Sequence, residues 1–304
     1  MSGMPGGPML GAGPARVMRE ATELIAQSLD GGARFISNRV DGFAGVTHNA
    51  GRGAEKVDGI GAEVINGYSF DISDNQGNSH HIHDIRVNPL VDHNGNIFGI
   101  SFPTVKGEPG KQHSDEEAYS IWSRMPDRLG DSQYYPERRV DPGDGSEPSW
   151  EDAGPSQPAP WARDAEDGML FVHAHADENG FRIEANFGTD ADPNWQMLGL
   201  SGSMFGQLVV ANTDFQAASR AGPDKPLMML ACKAGDPVYA HAERAAEVIH
   251  SAGMNHDVWA TVGINTARWN EKEGTAEVGV EIPDNTAPAD AITVIRAPNR
   301  TPAA

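Results

Sequence analysis

The sequence is short of cysteine and of positive charge, and both shortages narrow what the protein can be. One cysteine among 304 residues excludes an intramolecular disulfide and any zinc site built from several cysteines. Only 23 basic residues stand against 43 acidic ones, which gives a formal net charge of −20. Such a surface cannot neutralise phosphates, so we expect neither nucleic acid nor an anionic membrane as a partner.

Long hydrophobic runs are also missing. No stretch approaches the roughly 20 consecutive apolar residues that a membrane span needs. The first ten residues, Met1 to Leu10, lack the basic start and apolar core of a secretory signal. The sequence therefore favours a cytoplasmic protein, or one exported by a route without a classical signal peptide.

The composition favours a globular core with long loops and tails. Hydrophobic residues make up 38% of the chain, alongside 35 glycines and 21 prolines. Changes in pattern along the chain predict five regions. These are a glycine-rich N-terminal region with one helix (1–66), a β-hairpin region with the first core strand and helix (67–125), a flexible Pro/Gly/Asp-rich linker (126–165), a core (166–282) and a C-terminal tail (283–304).

The region before the linker has clear local signals. Apolar residues at helical spacing predict a helix from Pro14 to about Leu29, and residues 31–66 are expected to be mostly loop. Alternating apolar residues around Asn- and Gly-rich turns predict hairpins over residues 67–102. Ser114 and Glu117 form a capping box that begins a short helix.

The core region alternates between strand and helix patterns. Strands are predicted at 169–176 and 181–184, at the run that ends in Cys232, and at 258–262, followed by a hairpin into 276–282. A helical region covers 201–219, and a further helix begins at Asp236-Pro237 with Val238 on its buried face and ends at Gly253. This alternation predicts an α/β fold with a mostly parallel central sheet flanked by helices.

Two of the predicted strands end in reactive side chains. Met169–Ala176 carries His175 at its end, and Pro226–Gly235 carries Cys232, which is 57 residues later. Sites in open α/β sheets form at the carboxyl ends of parallel strands. A thiol and an imidazole brought together there are the parts of a nucleophile–base pair. The inert alternative is a buried structural cysteine, since free cysteine is among the most buried residue types.

The two segments resemble a known family. Phe171–Phe181 and Pro226–Gly235 are similar to the His-Gly and Ala-Cys-x-(Ser/Ala)-Gly strand ends of caspase-like cysteine peptidases. The resemblance is closest to the "lonely Cys" module of large actinobacterial multidomain proteins, and it covers roughly residues 82–265. It implies a caspase-like α/β fold with a small β-rich and helical N-terminal region.

The resemblance also implies roles for individual residues. Cys232 would be the nucleophile, and His175 the general base and acid. The backbone amides of Ala176 and Cys232 would form the oxyanion hole, although the family usually has glycine where Ala176 stands. His173 shares a face with His175, and Asp177 follows it closely, so both are candidate supporting residues. A peptide or protein would be the substrate, no cofactor is expected, and the oligomeric state stays open.

Two other functions use the same residues. A catalytically inactive interaction module of a larger modular protein is one alternative. The second is a zinc hydrolase, because His173, His175 and Asp177 also spell His-x-His-x-Asp. Glu178 stands where that motif needs a further histidine, and later ligands would have to come from His241, His250 or His256.

Basic residues in the expected linker suggest self-processing. Arg138, Arg139 and Arg163 lie where the chain is predicted to be flexible, and a peptidase that prefers basic residues could cleave itself there. Ordinary solvated arginines are the simpler interpretation.

Overall fold

A computed structural model of the chain describes residues 70–104, 133–143, 149–162, 165, 167–270, 275–284 and 286–298. All of them belong to one compact unit, residues 61–304. The helix expected from Pro14, the loop expected over 31–66, the helix expected after Ser114 and the expectation for Arg163 fall outside the described residues.

The described residues form a mixed α/β fold with many short strands and three α-helices. In chain order the strands are β1 (Phe70–Ser73), β2 (Ser79–Ile82), β3 (Asp84–Ile85), β4 (Asn88–Val91), β5 (Ile97–Phe102), β6 (Gln133–Val140), β7 (Ser149–Asp152), β8 (Gln157–Pro158), β9 (Leu170–Asp177), β10 (Gly180–Asn186), β11 (Trp195–Leu200), β12 (Leu227–Leu230), β13 (Val258–Thr261), β14 (Asn265–Asn270), β15 (Thr275–Glu281) and β16 (Ile292–Ile295). The helices are α1 (Gly202–Ala211), α2 (Thr213–Ala221) and α3 (His241–Ser251), with a short 3-10 helix at Pro288–Asp290.

The largest sheet has four parallel strands at its centre. Its order is β4-β5-β9-β12-β13-β16, in which β5, β9, β12 and β13 are parallel and the outer strands β4 and β16 are antiparallel to their neighbours. The end of β9 also pairs with β10, which continues to β11 and β3. Helices α1 and α2 connect β9–β11 to β12, and α3 connects β12 to β13. The strand–helix alternation in the sequence predicts this α/β class correctly.

The helices cover one face of this sheet. Phe205 of α1 stacks on Phe181 of β10, with ring centroids 3.8 Å apart, and contacts Phe102 of β5 at 5.2 Å. Phe102 pairs in register with Ala174, so this is the face opposite Phe171 and His173, because side chains alternate along a strand. Helix α3 packs on α1 through Gly206, where an added Cβ would lie 2.7 Å from the carbonyl oxygen of Ala245.

A second sheet covers the opposite face. Its order is β14-β15-β6-β7, with β8 also paired to β6. Buried residues of both sheets form one apolar cluster, including Phe171, Met228 and Trp259 from the large sheet and Tyr134 and Val280 from the second. The carboxyl end of the parallel strands is therefore bordered by the second sheet on one face and by helices on the other.

The structure differs from the linker expected over residues 126–165. Strands β6, β7 and β8 lie within it, and Tyr134 and Trp161 are buried. The segment has few aliphatic residues, but these aromatic side chains supply the buried apolar surface instead. Strand β6 pairs with β15, which is more than 100 residues away. A local sequence pattern cannot predict so distant a partner. Arg138 and Arg139 are exposed in this paired strand, so self-cleavage there would require β6 to detach.

Two other boundaries differ from expectation. Helix α3 begins at His241 and not at Asp236-Pro237, because Asp236 caps a turn by accepting from the Val238 amide at 2.9 Å. Ala240 then adopts φ +54°, which ends that turn, and Val238 is 81% exposed instead of buried. The expected C-terminal tail also contributes β16, which pairs with β13.

The early hairpins are confirmed. Strands β1 and β2 pair around Asp74–Asn78, and β4 and β5 pair around Asp92–Asn96. The first hairpin forms a separate two-stranded sheet, whereas the second leads into the large sheet. None of the helices in the described ranges has the length and apolar character needed to cross a bilayer.

Candidate active site

Strands β9 and β12 bring the predicted histidine and cysteine to the same edge of the sheet. They are adjacent and parallel, with Met229 opposite Val172 and Leu230 opposite His173. Cys232 follows Leu230 by two residues, as His175 follows His173. The pairing ends at Leu230 and His173, so Cys232 and His175 each lie two residues beyond the last paired residues, at the carboxyl end of the sheet.

The two histidines of β9 have different surroundings. Their ring centroids lie 5.8 Å apart on the same face of the strand. His173 is buried, and its Nδ1 is hydrogen-bonded to the hydroxyl of Ser101 at 2.8 Å, the residue opposite it on β5. His175 lies one strand repeat closer to the edge and is half-buried. His173 is thus anchored in the core, while His175 is at the solvent-accessible end.

Cys232 lies in the turn after β12, and its backbone is held on the neighbouring loop. The Lys233 amide donates to the carbonyl oxygen of Gly263 at 2.7 Å, and the Gly235 amide donates to that of Thr261 at 2.9 Å. The half-buried thiol donates to the carbonyl oxygen of Asn265 at 3.7 Å. Lys233 has φ +58°, an uncommon conformation for a residue with a side chain.

The loops after β9 and β12 are joined by two contacts, which we call the loop clasp. Lys233 Nζ forms an ion pair with the carboxylate of Glu178. His241 donates from Nε2 to the carbonyl oxygen of Asp177 at 3.1 Å. The hydrogen bond from Lys233 lowers the pKa of Glu178, and the same bond raises the pKa of Lys233. The loop clasp brings the segment after His175 into contact with Lys233 and with the start of α3. This contact is independent of the pairing between β9 and β12.

Asp177 stabilises the turn between β9 and β10. Its carboxylate accepts from the Asn179 amide at 2.8 Å and from Nε of Arg182 at 2.6 Å. Partial burial raises its pKa, but these hydrogen bonds and the nearby guanidinium outweigh burial and hold the pKa below the usual value. The carboxylate of Asp177 therefore bonds within its own turn. Of the two candidate supporting residues, His173 is the one whose ring lies beside that of His175.

The amide of Ala176, one of the two predicted oxyanion donors, faces β12 by strand alternation. Leu170 donates its amide to the carbonyl oxygen of Pro226, at the start of the Cys232 strand. Amides of alternate residues point to the same edge of a strand, and Ala176 lies an even six residues after Leu170. Its N–H therefore points towards the segment that carries Cys232, the second predicted donor.

The later ligands of the zinc alternative have other partners in the structure. In the described part of the chain, no group of three or more His, Cys, Asp or Glu side chains is arranged to hold a metal ion. His241 contacts the β9–β10 turn, and His250 donates to the carbonyl oxygen of His256 at 2.8 Å. His256 is fully buried between the Ser219 hydroxyl and the Lys225 carbonyl oxygen, both at 2.7 Å.

Sequence reasoning missed four residues at this edge: Ser101, Lys233 as a partner of Glu178, His241 as a partner of the turn, and Asn265. Ser101 and Asn265 come from strands distant from Cys232 along the chain, and nothing in their local sequence marks them. Lys233 directly follows the cysteine, so adjacency alone could have marked it as a candidate.

Comparison of the chain with models of known families, with curated proteins and with solved structures found no match in any of the three.

Proposed function

We propose that the protein is a cysteine endopeptidase of caspase-like fold in which His175 and Cys232 form a catalytic dyad. The observation that supports the proposal is the parallel pairing of β9 and β12, in which Leu230 lies opposite His173, two residues before Cys232 and His175 respectively. The fold assignment is supported by the sheet order, in which the histidine and cysteine strands are central neighbours among parallel strands, with helices between them in sequence.

The chemistry follows from this placement. His175 takes the thiol proton, and the Cys232 sulfur attacks the carbonyl carbon of a peptide bond. The amides of Ala176 and Cys232 donate to the oxyanion that forms. The C–N bond breaks as His175 returns the proton to the leaving amine, which leaves a thioester. Water, deprotonated by His175, then cleaves the C–S bond, and the thiol is restored.

The site has features that suit this role. The thiol is half-buried and not enclosed in the core, so a substrate can reach it. Lys233 directly follows Cys232, and its charge is paired with that of Glu178, so substitution of either residue should change how strongly the thiolate is favoured. Ala176 adds a methyl group where the resembling family has glycine, but its amide direction does not depend on that methyl group.

The test is the rate at which iodoacetamide labels Cys232 between pH 5 and 9, measured by mass spectrometry. In the wild type we expect fast labelling near pH 6, which is lost in His175→Ala. His81→Ala is the matched control, because His81 is exposed on the β1–β2 hairpin. A screen with peptide substrates follows, in which Cys232→Ala should abolish cleavage.

Two outcomes would contradict the proposal. Labelling that rises only above about pH 8.5, the value of a free thiol, with no effect of His175→Ala, would show that the dyad is not formed. A non-catalytic interaction module would then be the better interpretation. Cleavage that persists in Cys232→Ala, together with stoichiometric zinc by elemental analysis, would instead favour the metal hydrolase.

A further inference from the structure

Asn265 is buried beside the candidate nucleophile with its side-chain amide unused. It is only 8% exposed. Neither Oδ1 nor Nδ2 has a hydrogen-bond partner among the described residues. A buried carboxamide without partners is costly, because both its donor and its acceptor lose water and gain nothing in return. Such a group calls for a partner from outside the described residues, and a substrate side chain is one.

The position of Asn265 relates it directly to Cys232. Asn265 is the first residue of β14, and its own carbonyl oxygen accepts from the Cys232 thiol at 3.7 Å. The loop before it is tied to the cysteine loop through Gly263 and Thr261. Asn265 pairs in register with Val280, which is fully buried. The unused amide thus belongs to the residue whose backbone carbonyl oxygen contacts the Cys232 sulfur.

We propose that the Asn265 side chain recognises a carboxamide side chain, that of Asn or Gln, on the substrate residue whose carbonyl Cys232 attacks. This inference rests on the proposed function and names its substrate class. A carboxamide offers one donor and one acceptor side by side, so it can pair with both free atoms of Asn265 at once.

Other side chains use the site less completely. A carboxylate would accept from Nδ2 but set a negative charge against Oδ1. An ammonium or guanidinium group would use Oδ1 alone and leave Nδ2 unpaired. Lys233 is already paired with Glu178, so it does not offer a free cation to an acidic substrate. A leucine side chain would satisfy neither atom. Sites built to hydrogen-bond a substrate strongly reject analogues that lack the bonding group.

The probes are peptidyl acyloxymethyl ketones that alkylate a catalytic cysteine and differ only in the residue next to the reactive carbon. Asn and Leu at that position have the same branched shape and differ in hydrogen bonding, Asp adds a negative charge to that shape, and Gln tests the length. The second-order rate of Cys232 labelling is measured by mass spectrometry on the full chain. We expect the Asn or Gln probe to label at least about 100-fold faster than the Leu probe.

Variants assign the preference to Asn265. Asn265→Leu should remove the preference and leave the Leu probe at its wild-type rate or faster. Asn265→Asp keeps an acceptor but loses the donor, and should slow the Asn probe. Asn88→Leu is the matched control, since Asn88 has a buried Oδ1 without partner but lies on β4. Circular dichroism and iodoacetamide labelling confirm that each variant is folded with its dyad intact.

The outcomes separate this inference from the proposed function. Equal rates for the Asn and Leu probes, with rapid iodoacetamide labelling that depends on His175, would overturn the inference and leave the peptidase proposal standing. A uniform loss over all probes in Asn265→Leu would also overturn it, because Asn265 would then bind the peptide backbone. Failure of every probe, with an unactivated thiol, would overturn both.

Discussion

At the scale of single residues, Lys233 combines two unusual properties at one position. Its backbone has φ +58° and its ammonium is paired with Glu178 across the two site loops. A left-handed conformation costs a residue with a Cβ roughly 1–2 kcal/mol, so the surrounding contacts must hold it. The hydrogen bond from the Lys233 amide to the carbonyl oxygen of Gly263 is one such contact. The conformation of the cysteine turn therefore depends on its neighbours.

The clasp should tune the reactivity of the thiol. Glu178→Gln removes a negative charge and leaves the Lys233 cation uncompensated, so we expect Cys232 to be labelled a few-fold faster by iodoacetamide at pH 6 to 7. Lys233→Met should slow labelling for the opposite reason. Glu151→Gln, at an exposed position on β7, is the control. Identical rates in all three variants would contradict this expectation.

The clasp itself should not titrate within the range of that experiment. The pKa of Glu178 is lowered from 4.5, so its contribution is complete above pH 4.5 and is lost as pH falls through the lower, folded value. The pKa of Lys233 is raised from 10.5, so its contribution is complete below pH 10.5 and is lost at still higher pH. Changes in labelling between pH 5 and 9 should therefore persist in Glu178→Gln.

Removing the partner of His173 and removing His175 itself should have opposite effects on stability and on the labelling of Cys232. Ser101→Ala leaves the buried His173 ring without its hydroxyl partner and should destabilise the protein by about 1–3 kcal/mol, measured by urea unfolding, while labelling of Cys232 keeps its pH profile. His175→Ala should change that profile with little loss of stability, because His175 is half-buried. The reverse pattern would assign the catalytic role to His173.

At the scale of elements, helices α1 and α3 approach each other through glycine. An added Cβ at Gly202 would lie 2.3 Å from the carbonyl oxygen of His241, and one at Gly206 would lie 2.7 Å from that of Ala245. Both contacts are with backbone, which cannot move aside as a side chain can. Because α3 follows the cysteine turn, this packing also sets where His241 reaches the β9–β10 turn.

Gly206→Ala tests this close packing. In an open helix interior the change would stabilise by about 1 kcal/mol. Here overpacking should instead cost about 1–3 kcal/mol, measured as the free energy of unfolding in urea. Gln207→Ala, at a half-buried position on the same helix, should stay within about 0.5 kcal/mol. A stabilised Gly206→Ala variant would show that the two helices are farther apart.

At the scale of the whole molecule, the second sheet assembles from segments distant in sequence. Strand β6 comes before the histidine strand, and β14 and β15 come after the cysteine strand, yet β6 and β15 are neighbours. Trp161 joins the two layers, since its ring lies 5.9 Å from that of Trp259 in the large sheet and 6.4 Å from that of Tyr134. Asn265 reaches Cys232 only because this sheet covers the large one.

Trp161→Ala should distinguish a packed second layer from a linker. Trp161 is only 2% exposed, so its loss should cost about 3–5 kcal/mol, observed as a lower midpoint of thermal or urea unfolding. Trp150→Ala, in the same segment but half-buried, should cost clearly less. Equal, small effects of the two substitutions would support the linker expected from the composition.

The sequence alone determined the features that depend on neighbours along the chain. The hairpins around Asp74–Asn78 and Asp92–Asn96, the strand that carries His175 and the buried residues of α3 from Ala242 onward all follow from short-range patterns of apolar and turn residues. His175 and Cys232 could be chosen as candidates because each ends an apolar strand. The prediction that they work together stays a prediction.

Only the tertiary structure decided the features that depend on contacts between distant segments. The segment expected to be a linker contains β6–β8, because Tyr134 and Trp161 pack against residues far along the chain. Helix α3 begins at His241, because Asp236 is used in a turn. The tertiary structure also set Ser101 behind His173 and Asn265 beside Cys232. A local pattern records what a segment can form, whereas strand pairing and burial depend on which other segment reaches it.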